Sequence, residues 1–219
     1  MRRVVKIGGS LLKSPDICSR LSDWHKQQEV AYSLAIVGGG DLVNAIRDID
    51  SVINRDQVSK VGKVTSLDVE ARLEEAEVHW LCVNLLTHTF NIMRRRLNWP
   101  AIETREQLEQ WIERPSAFGT TTLVRVDTFY RQSLPSEVKE GDRSMLDAPA
   151  SDLPENWDTT TDSIAARLAK LVHAQELIIL KSCSVPDGLT LTQLSDAGVI
   201  DRAFPLAAIG IDRVKVERL

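Results

Sequence analysis

Two lysines of this sequence lie inside, or at the carboxyl end of, apolar runs that are typical of buried strands. Lys6 lies between Val5 and Ile7, and Lys181 ends the run 177–180. An unpaired ammonium group is costly to bury, so each lysine has to reach solvent or meet an anion. Phosphoryl transfer requires neutralisation of the charge on the transferring group, which lysines can supply. We therefore predict a ligand role for both lysines, with a solvated strand end as the alternative.

Two glycine-bearing turns directly follow short β-branched runs. Gly8-Gly9-Ser10 follows the first run, and Gly38-Gly39-Gly40-Asp41 follows the second. A strand that breaks at glycines before a helix leaves backbone N–H groups at the helix N-terminus, where phosphate binds well. An ordinary strand-to-helix turn is the alternative explanation of such glycines. The sequence lacks G-x-x-x-x-G-K-[ST], and Val43 replaces a glycine of the dinucleotide fingerprint, so neither motif applies.

The hydrophobic pattern alternates short strands with helices. A helix that carries Ile17, Leu21 and Trp24 is predicted between the first two strands, which gives a β-α-β unit. Such units build a parallel sheet that is covered on both faces. We expect strands at 4–7, 33–37, 121–126, 176–182 and 214–216, and helices at 41–53, 66–97, 104–113, 162–173 and 190–197. The length of 219 residues fits one domain, 1–219. The predicted fold class is α/β, a three-layer αβα sandwich with a mainly parallel central sheet.

The helix predicted at 66–97 is longer than the core of one small domain requires, since about 30 residues span about 45 Å. An apolar stripe follows one of its faces, formed by Ala76, Val83, Leu86, Phe90, Met93 and Leu97. The stripe predicts a subunit contact, and the expected assembly is a homodimer or a higher homo-oligomer. The polar stretch at 133–157 exceeds an ordinary connection and predicts a flap, a hairpin or a mobile loop that closes over substrate.

Composition bounds the partners and the compartment. The formal net charge of -4 argues against a general nucleic-acid surface, which would be basic. Cys18, Cys82 and Cys183 have neither metal-ligand spacing nor a C-x-x-C pair, which fits reduced thiols in the cytoplasm. The sequence begins almost at once with a strand and contains no run of about 18 apolar residues, so we expect no signal peptide and no membrane span.

Four blocks of the sequence resemble a known family in their order and spacing. They are Lys6-Ile7-Gly8-Gly9-Ser10, Val37-Gly38-Gly39-Gly40, Asp162-Ser163-Ile164-Ala165-Ala166 and Leu177-Ile178-Ile179-Leu180-Lys181. Together they resemble the amino acid kinase family, which includes acetylglutamate, aspartate, uridylate, carbamate and isopentenyl phosphate kinases. The small size, the His79-Trp80 pair and the segment Trp157-Asp158-x-x-x-Asp162-Ser163 are similar to the short branch typified by the aminomethylfuran-methyl phosphate kinase of methanofuran biosynthesis.

The resemblance implies a site with a donor side and an acceptor side. It places Lys6 over the transferring phosphate and makes Asp162 the residue that orients the catalytic lysines Lys6 and Lys181. It implies ATP with Mg²⁺, which bridges the phosphates, although the sequence contains no dedicated metal cage. The implied cofactor-binding residues are Lys6, Gly8, Gly9, Ser10, Lys181 and Asp187, and the implied substrate-binding residues are Gly38, Gly39, Gly40, Asp41, Arg47 and His79.

Some of these residues also have structural explanations. Asp162 can simply complement the dipole of its helix, Arg47 can be an exposed helix residue, and His79 can be a hydrogen-bonded core histidine. The family usually continues with Asp-Val-Asp-Gly or Lys-Val-Asp-Gly at the late strand. Here Lys181 is followed by Ser182-Cys183-Ser184-Val185-Pro186-Asp187-Gly188, which leaves the register of Asp187 open.

The function that follows from the resemblance is an ATP-dependent kinase acting on a small acidic or phosphorylated metabolite. The branch resemblance suggests an aminomethylfuran phosphate as the acceptor. An activity like that of acetylglutamate or uridylate kinases is the first alternative. A nucleotide-binding sensor or storage protein without turnover is the second, because of the altered segment after Lys181.

Overall fold

A six-stranded sheet forms the centre of the protein, and all the strand pairings in its described part are parallel. The structure is a computed structural model that describes residues 1–58, 73–116, 118–132 and 153–219. The strands are β1 (Arg2–Ile7), β2 (Tyr32–Val37), β3 (Ala101–Ile102), β4 (Thr121–Val124), β5 (Glu176–Lys181) and β6 (Arg213–Arg218). Their order across the sheet is β3-β4-β2-β1-β5-β6.

Helices cover both faces of this sheet. They are α1 (Ile17–Lys26), α2 (Asp41–Val58), α3 (Glu75–Arg96), α4 (Arg105–Glu113), α5 (Thr161–Leu171), α6 (Leu191–Asp196) and α7 (Phe204–Ala207), with 3-10 turns at Gly9–Lys13 and Val126–Thr128. Successive strand residues point to opposite faces, so Val4 lies in one hydrophobic core and Val5 lies in the other. The predicted fold class, a three-layer α/β sandwich with a parallel sheet, is confirmed.

The register of the central strands brings the two predicted lysines to the same edge of the sheet. β1 lies between β2 and β5, and Lys6 is paired with Ile36 on one side and Ile179 on the other. Lys181 is the last residue of β5. Because the strands are parallel, their carboxyl ends lie together at one edge, and the loops that leave them surround a common site.

Five of the six residues of the apolar stripe of α3 are buried within the chain itself, and Ala76 is half-buried. Phe90 is only 2% exposed and Met93 is fully buried, and both pack against strand residues in the core that contains Val5. Val83 and Leu86 are buried in the opposite core. The expectation that these five residues need a second subunit to cover them is therefore wrong, because they pack in the two hydrophobic cores of the same chain. A homo-oligomer stays a prediction, and the helical segment predicted at 66–72 lies outside the described residues.

Two short elements were not predicted from the sequence, and one predicted loop lies outside the described residues. The two-residue strand β3 and the four-residue helix α7 are additional elements, both too short to give a periodic pattern. Most of the stretch predicted to be a flap or loop, residues 133–152, lies outside the described residues. No helix in the described ranges combines the length and the apolar character that crossing a membrane requires.

Candidate functional site

Lys6, Asp162 and Lys181 form a buried ionic trio at the carboxyl edge of the sheet. The Lys6 ammonium nitrogen lies 2.7 Å from Oδ1 of Asp162, and the Lys181 ammonium nitrogen lies 2.6 Å from Oδ2. Asp162 is the second residue of α5, and its side chain is 3% exposed. The helix begins where β1 and β5 end, so one carboxylate contacts both lysines. The structure therefore brings together the three residues that the sequence predicts to be catalytic.

The trio carries an excess of positive charge. Burial acts to raise the pKa of Asp162, but the ammonium groups of Lys6 and Lys181 outweigh it and hold this pKa below its ordinary value. Burial, together with repulsion from Lys6, lowers the pKa of Lys181, while Asp162 opposes that change. One carboxylate thus faces two cations. Such an arrangement favours binding of an additional anion next to the lysines.

The two glycine turns pack directly against each other beside this trio. A Cβ atom on Gly9 would lie 2.0 Å from the backbone nitrogen of Gly40, and one on Gly38 would lie 3.2 Å from Cε of Lys6. Gly40 also has a φ of +57°, a conformation that favours glycine. The backbone of Gly8 is tied to β5, since its N–H donates to the carbonyl oxygen of Leu180 at 2.9 Å. The glycines therefore give the turns their close approach and leave room for the Lys6 side chain.

Two clefts meet at the trio. The first, which we call the glycine cleft, has a volume of about 250 Å³ and includes Lys6, Gly9, Ser10, Gly39, Gly40, Arg47, His79, Trp157, Thr159 and Thr160 among its lining residues. The second, which we call the lysine cleft, has a volume of about 1020 Å³ and includes Arg47, Trp157, Thr160, Asp162, Lys181, Thr192, Ser195 and Asp201. Lys6 lines the first cleft and Lys181 lines the second, so Asp162 links a cation of each.

Asp201, which the sequence analysis missed, fixes the first turn of α5. Its Oδ2 accepts hydrogen bonds from the backbone N–H and hydroxyl of Thr160 at 2.8 and 2.7 Å, and from the N–H of Ser163 at 3.1 Å. Its Oδ1 accepts from the Ser163 hydroxyl. Burial and the neighbouring Asp162 carboxylate raise the pKa of Asp201. Its partners precede it by 38 and 41 residues, so no local spacing signals the contact.

Ser10 lines the glycine cleft, and Arg47 lines both clefts. The Ser10 hydroxyl is 2.7 Å from the hydroxyl of Ser182, which joins the turn after β1 to the residue that follows β5. Arg47 projects from α2 and lines both clefts, with its guanidinium carbon 4.6 Å from the centre of the Trp157 ring. The resemblance implies that Arg47 binds only the acceptor. Its position in both clefts would also let it contact a ligand in the lysine cleft.

His79 lines the glycine cleft but is held by protein partners. Its Nε2 lies 2.9 Å from the hydroxyl of Tyr130, and its Nδ1 lies 3.4 Å from the carbonyl oxygen of Asn156. Burial lowers the pKa of His79, against weaker opposing effects of Asn156 and Glu155. The His79 imidazole thus has a partner at each nitrogen. Its surroundings agree with a hydrogen-bonded core histidine as well as with a substrate-binding residue.

Asp41 and Asp187 lie apart from the clefts. Asp41 forms an exposed ion pair with Lys13 at 2.5 Å and does not line the glycine cleft. Asp187 is exposed and lines neither cleft. Both were singled out because they adjoin a turn or a late strand in sequence. Adjacency in sequence does not determine where a side chain points, and here the two carboxylates face solvent.

Thr159 adds a buried polar group that the sequence analysis did not select. The residue is 5% exposed, lines the glycine cleft, and its hydroxyl oxygen has no hydrogen-bond partner in the described part of the chain. Buried hydroxyl groups are nearly always hydrogen-bonded in folded proteins. A polar ligand in the glycine cleft would supply the missing partner.

The described residues contain no cluster of three or more His, Cys, Asp or Glu side chains that could hold a metal ion. A separate pocket of about 480 Å³ lies between α5 and α7, where Leu153, Leu171 and Leu206 contribute to an apolar lining. None of the predicted site residues lines this pocket. The candidate functional site is therefore at the two clefts, where the ionic trio and the glycine turns lie.

Comparisons with known proteins identify the fold. No protein-family model matches the chain, and neither does any curated protein. Among solved structures, UMP kinase from Ureaplasma parvum superposes with a TM-score of 0.53 at 12% identity, covering 100% of this chain and 90% of that one. The chain has the fold of the UMP kinases.

Two further structures agree with this assignment. Uridylate kinase from Archaeoglobus fulgidus gives a TM-score of 0.51 at 14% identity and covers 100% of this chain and 90% of that one. UMP kinase from Bacillus anthracis gives 0.50 at 11% identity, with 99% and 86% covered. The UMP kinase fold therefore extends over nearly the whole chain. At this level of identity, the comparison shows the fold and does not identify a substrate.

Proposed function

We propose that the protein is an ATP-dependent kinase that transfers the γ-phosphoryl group to a small acidic or phosphorylated metabolite. The observation that carries this proposal is the placement of Lys6 and Lys181 on the two oxygens of Asp162, at the meeting point of two clefts. A phosphoryl group that passes between two substrates needs cations on its path. One lysine on each side, oriented by a shared carboxylate, meets that need.

The lysine cleft is the proposed donor site. Its volume of about 1020 Å³ accommodates a nucleoside triphosphate, and Lys181 and Thr160 at its inner end are polar groups suited to phosphates. Bound Mg²⁺ would neutralise the charge that develops on the phosphates. Because the described residues hold no cluster of metal ligands, the ion would be bound chiefly through the nucleotide phosphates.

The glycine cleft is the proposed acceptor site. Gly9 and Ser10, which the resemblance assigns to the cofactor, line this cleft and not the lysine cleft, so this proposal differs from the resemblance in their role. Its volume of about 250 Å³ limits the acceptor to a small molecule. Gly39 and Gly40 lie at the N-terminus of the 18-residue helix α2, where the helix dipole favours an acidic group or a phosphate. The unpartnered hydroxyl of Thr159 offers a further polar contact. These features support an acceptor that is both small and negatively charged.

In the proposed reaction, an oxygen of the acceptor attacks the γ-phosphorus and the bond to the β–γ bridging oxygen breaks, which releases ADP. Lys6 contacts the transferring group from the acceptor side, and Lys181 stabilises the negative charge that remains on ADP. Asp162 holds both ammonium groups in place and does not itself react. This arrangement accelerates transfer through positioning and charge stabilisation, which is the usual source of catalysis in phosphoryl transfer.

The acceptor itself is proposed from resemblance alone. An aminomethylfuran phosphate is the first candidate, on the basis of His79-Trp80 and the segment that begins at Trp157. An acetylglutamate-like or uridylate-like acceptor is the alternative, and the names of the compared structures favour the uridylate-like one among these. All three acceptors carry the negative charge that the glycine cleft favours.

A nucleotide-binding protein without turnover is the competing function. The exposed position of Asp187, outside the lysine cleft, favours this alternative because the resemblance assigns that residue to the nucleotide. A coupled assay of ADP release with a panel of acidic and phosphorylated metabolites, beside calorimetric titration with ATP, separates the two. We expect acceptor-dependent ADP release that requires Lys6 and Asp162. Tight ATP binding without such release would overturn the kinase proposal.

A further inference from the structure

Arg47 and Trp157 form a stacked pair that faces both clefts. The guanidinium carbon of Arg47 lies 4.6 Å from the centre of the Trp157 ring, which is within the range of a cation–π interaction. Both residues line the glycine cleft and both line the lysine cleft. The pair therefore lies at the boundary between the proposed acceptor and donor sites, not within one of them.

The indole ring of Trp157 is itself held in place. Its Nε1 donates a hydrogen bond to Oδ2 of Asp50 at 2.8 Å, which ties the ring to α2, one turn beyond Arg47. Residues on either side of Trp157 are also hydrogen-bonded, Glu155 through its side chain and Asp158 through its backbone. Glu155 accepts a hydrogen bond from Nε1 of Trp80 at 2.8 Å, and the carbonyl oxygen of Asp158 accepts one from the N–H of Ala203 at 2.9 Å. The ring thus presents a rigid surface to Arg47.

The acidic neighbour of Arg47 one turn along α2 is Asp50, whose carboxylate accepts the hydrogen bond from Trp157. No carboxylate among the described residues lies within the 4.0 Å ion-pair distance of Arg47. A guanidinium that stacks on an aromatic ring keeps its in-plane N–H groups directed outward, and these donors match the oxygens of a phosphate. The stack therefore fixes the orientation of the cation while leaving its donors for a ligand.

We propose that Trp157 is a positioning residue that holds the Arg47 guanidinium at the boundary of the two clefts, where it binds the terminal phosphate of the donor as that group passes to the acceptor. This inference rests on the proposed kinase function. In this proposal Arg47 does not simply bind the acceptor. It stabilises the negative charge on the phosphoryl group during its transfer. An interaction made chiefly in the transition state lowers kcat when it is lost and changes KM less.

The kinetic experiment compares four variants with the wild type. We expect Arg47→Gln to lower kcat about 100-fold, with the KM of the acceptor changed less than about threefold. Trp157→Ala should lower kcat about 10-fold by releasing the cation, and Trp157→Phe should recover most of that loss because it restores a ring. Arg94→Gln is the matched control, since Arg94 pairs with Glu103 on the surface and lines neither cleft.

A second experiment measures binding and requires no turnover. Calorimetric titration with tripolyphosphate probes the phosphate path, and Arg47→Gln and Trp157→Ala should each weaken binding about 10-fold while Arg94→Gln does not. One outcome is that the three variants show this binding pattern while no acceptor stimulates ADP release by the wild type. In that case the kinase proposal fails and the role of the pair in binding phosphate stands. If Trp157→Ala does not fold, Trp157→Leu, which fills the space without an aromatic ring, takes its place.

Two results would overturn the inference. The first is tripolyphosphate binding that is the same in the wild type, Arg47→Gln and Trp157→Ala, with kcat also unchanged. The second is a rise in the acceptor KM at constant kcat in Arg47→Gln, which would make Arg47 an ordinary acceptor-binding residue.

Discussion

Gly9 and Gly40 pack so closely that the two glycine turns form one structural unit. A Cβ atom on Gly9 would lie 2.0 Å from the backbone nitrogen of Gly40 and 2.6 Å from its Cα. Real Cβ atoms do not approach backbone atoms to this distance, so any other residue at position 9 would separate the turns. The contact joins the loop after β1 to the loop after β2, and both loops line the glycine cleft.

The first prediction is that Gly9→Ala destabilises the protein and impairs its site together. Overpacking typically costs about 1–3 kcal/mol, and we expect a loss of about 3 kcal/mol in the free energy of unfolding because backbone must move. Urea denaturation measures this loss. Gly210→Ala is the control, since its Cβ meets nothing within 4 Å and its positive φ of +87° alone costs roughly 1–2 kcal/mol. Equal losses in the two variants would contradict the close-contact explanation.

The second prediction concerns the shared carboxylate. Asp162→Asn leaves two largely buried ammonium groups, Lys6 and Lys181, without a counter-ion, whereas Lys6→Ala leaves the Asp162–Lys181 pair intact. Breaking a buried pair in this way costs about 3–5 kcal/mol, so Asp162→Asn should lose more stability than Lys6→Ala.

Both variants should also lower turnover by about 10²–10³ per folded molecule, because each removes a charge from the path of the transferring group. Urea denaturation gives the folded fraction, and the coupled ADP assay gives the rate. Full specific activity in either variant, once corrected for the folded fraction, would remove that residue from the catalytic site.

The third prediction separates two properties of Asp201. Asp201→Ala leaves the donors of Thr160 and Ser163 without an acceptor at the start of α5, and we expect a loss of about 2 kcal/mol with reduced turnover. Asp201→Asn keeps an oxygen for the N–H groups and an amide for the Ser163 hydroxyl, so its loss should stay below about 1 kcal/mol.

Thermal or urea unfolding and the ADP assay test these two substitutions together. Asp212→Asn, at an exposed position, is the control for the change in charge. An equally large loss in Asp201→Asn and Asp201→Ala would mean that the negative charge, and not the hydrogen bonds, stabilises the first turn of α5.

The elements of the fold were predictable because their signals are local. The β-branched runs identify β1, β2 and β5, and Thr104 and Thr190 each begin a helix with a capping box that the sequence displays. What covers an apolar stripe is not local. The periodicity of α3 correctly indicates a buried face, but only the tertiary structure shows that Phe90 and Met93 pack within the same chain.

The residues of the candidate site likewise differ in whether the sequence signals them. Lys6, Asp162 and Lys181 converge because the topology of a parallel sheet brings strand ends together, and the motif order encodes that topology. Asp201 was not predictable, because it acts through residues about 40 positions away. Asp187 was selected by its neighbours in sequence, and its side chain lies in solvent.

A second buried ionic cluster lies at the opposite edge of the sheet, where the strands begin. Arg3 donates from Nε to Oε2 of Glu176 at 2.5 Å, and both side chains are almost fully buried. Lys215 lies 3.1 Å and Arg213 lies 3.5 Å from the other carboxylate oxygen. These residues face one another because Arg3 pairs with Glu176 in the register of β1 and β5, and Glu176 pairs with Arg213. The cluster lies far from the clefts, so it reports on stability alone.

The fourth prediction is that Glu176→Gln lowers the free energy of unfolding by about 3 kcal/mol at pH 7, because Arg3 stays buried without a counter-ion. Burial acts to raise the pKa of Glu176, but hydrogen bonds from Arg3 and Lys215 outweigh it and hold this pKa below 4.5. A lowered pKa means that the carboxylate stabilises the fold above pH 4.5, and this contribution disappears as the pH falls through the folded-state value. Urea denaturation at several pH values should therefore show a shallower loss of stability below pH 4.5 in Glu176→Gln than in the wild type. Glu113→Gln, at an exposed position of α4, should keep the wild-type slope, and parallel slopes in all three proteins would refute the assignment.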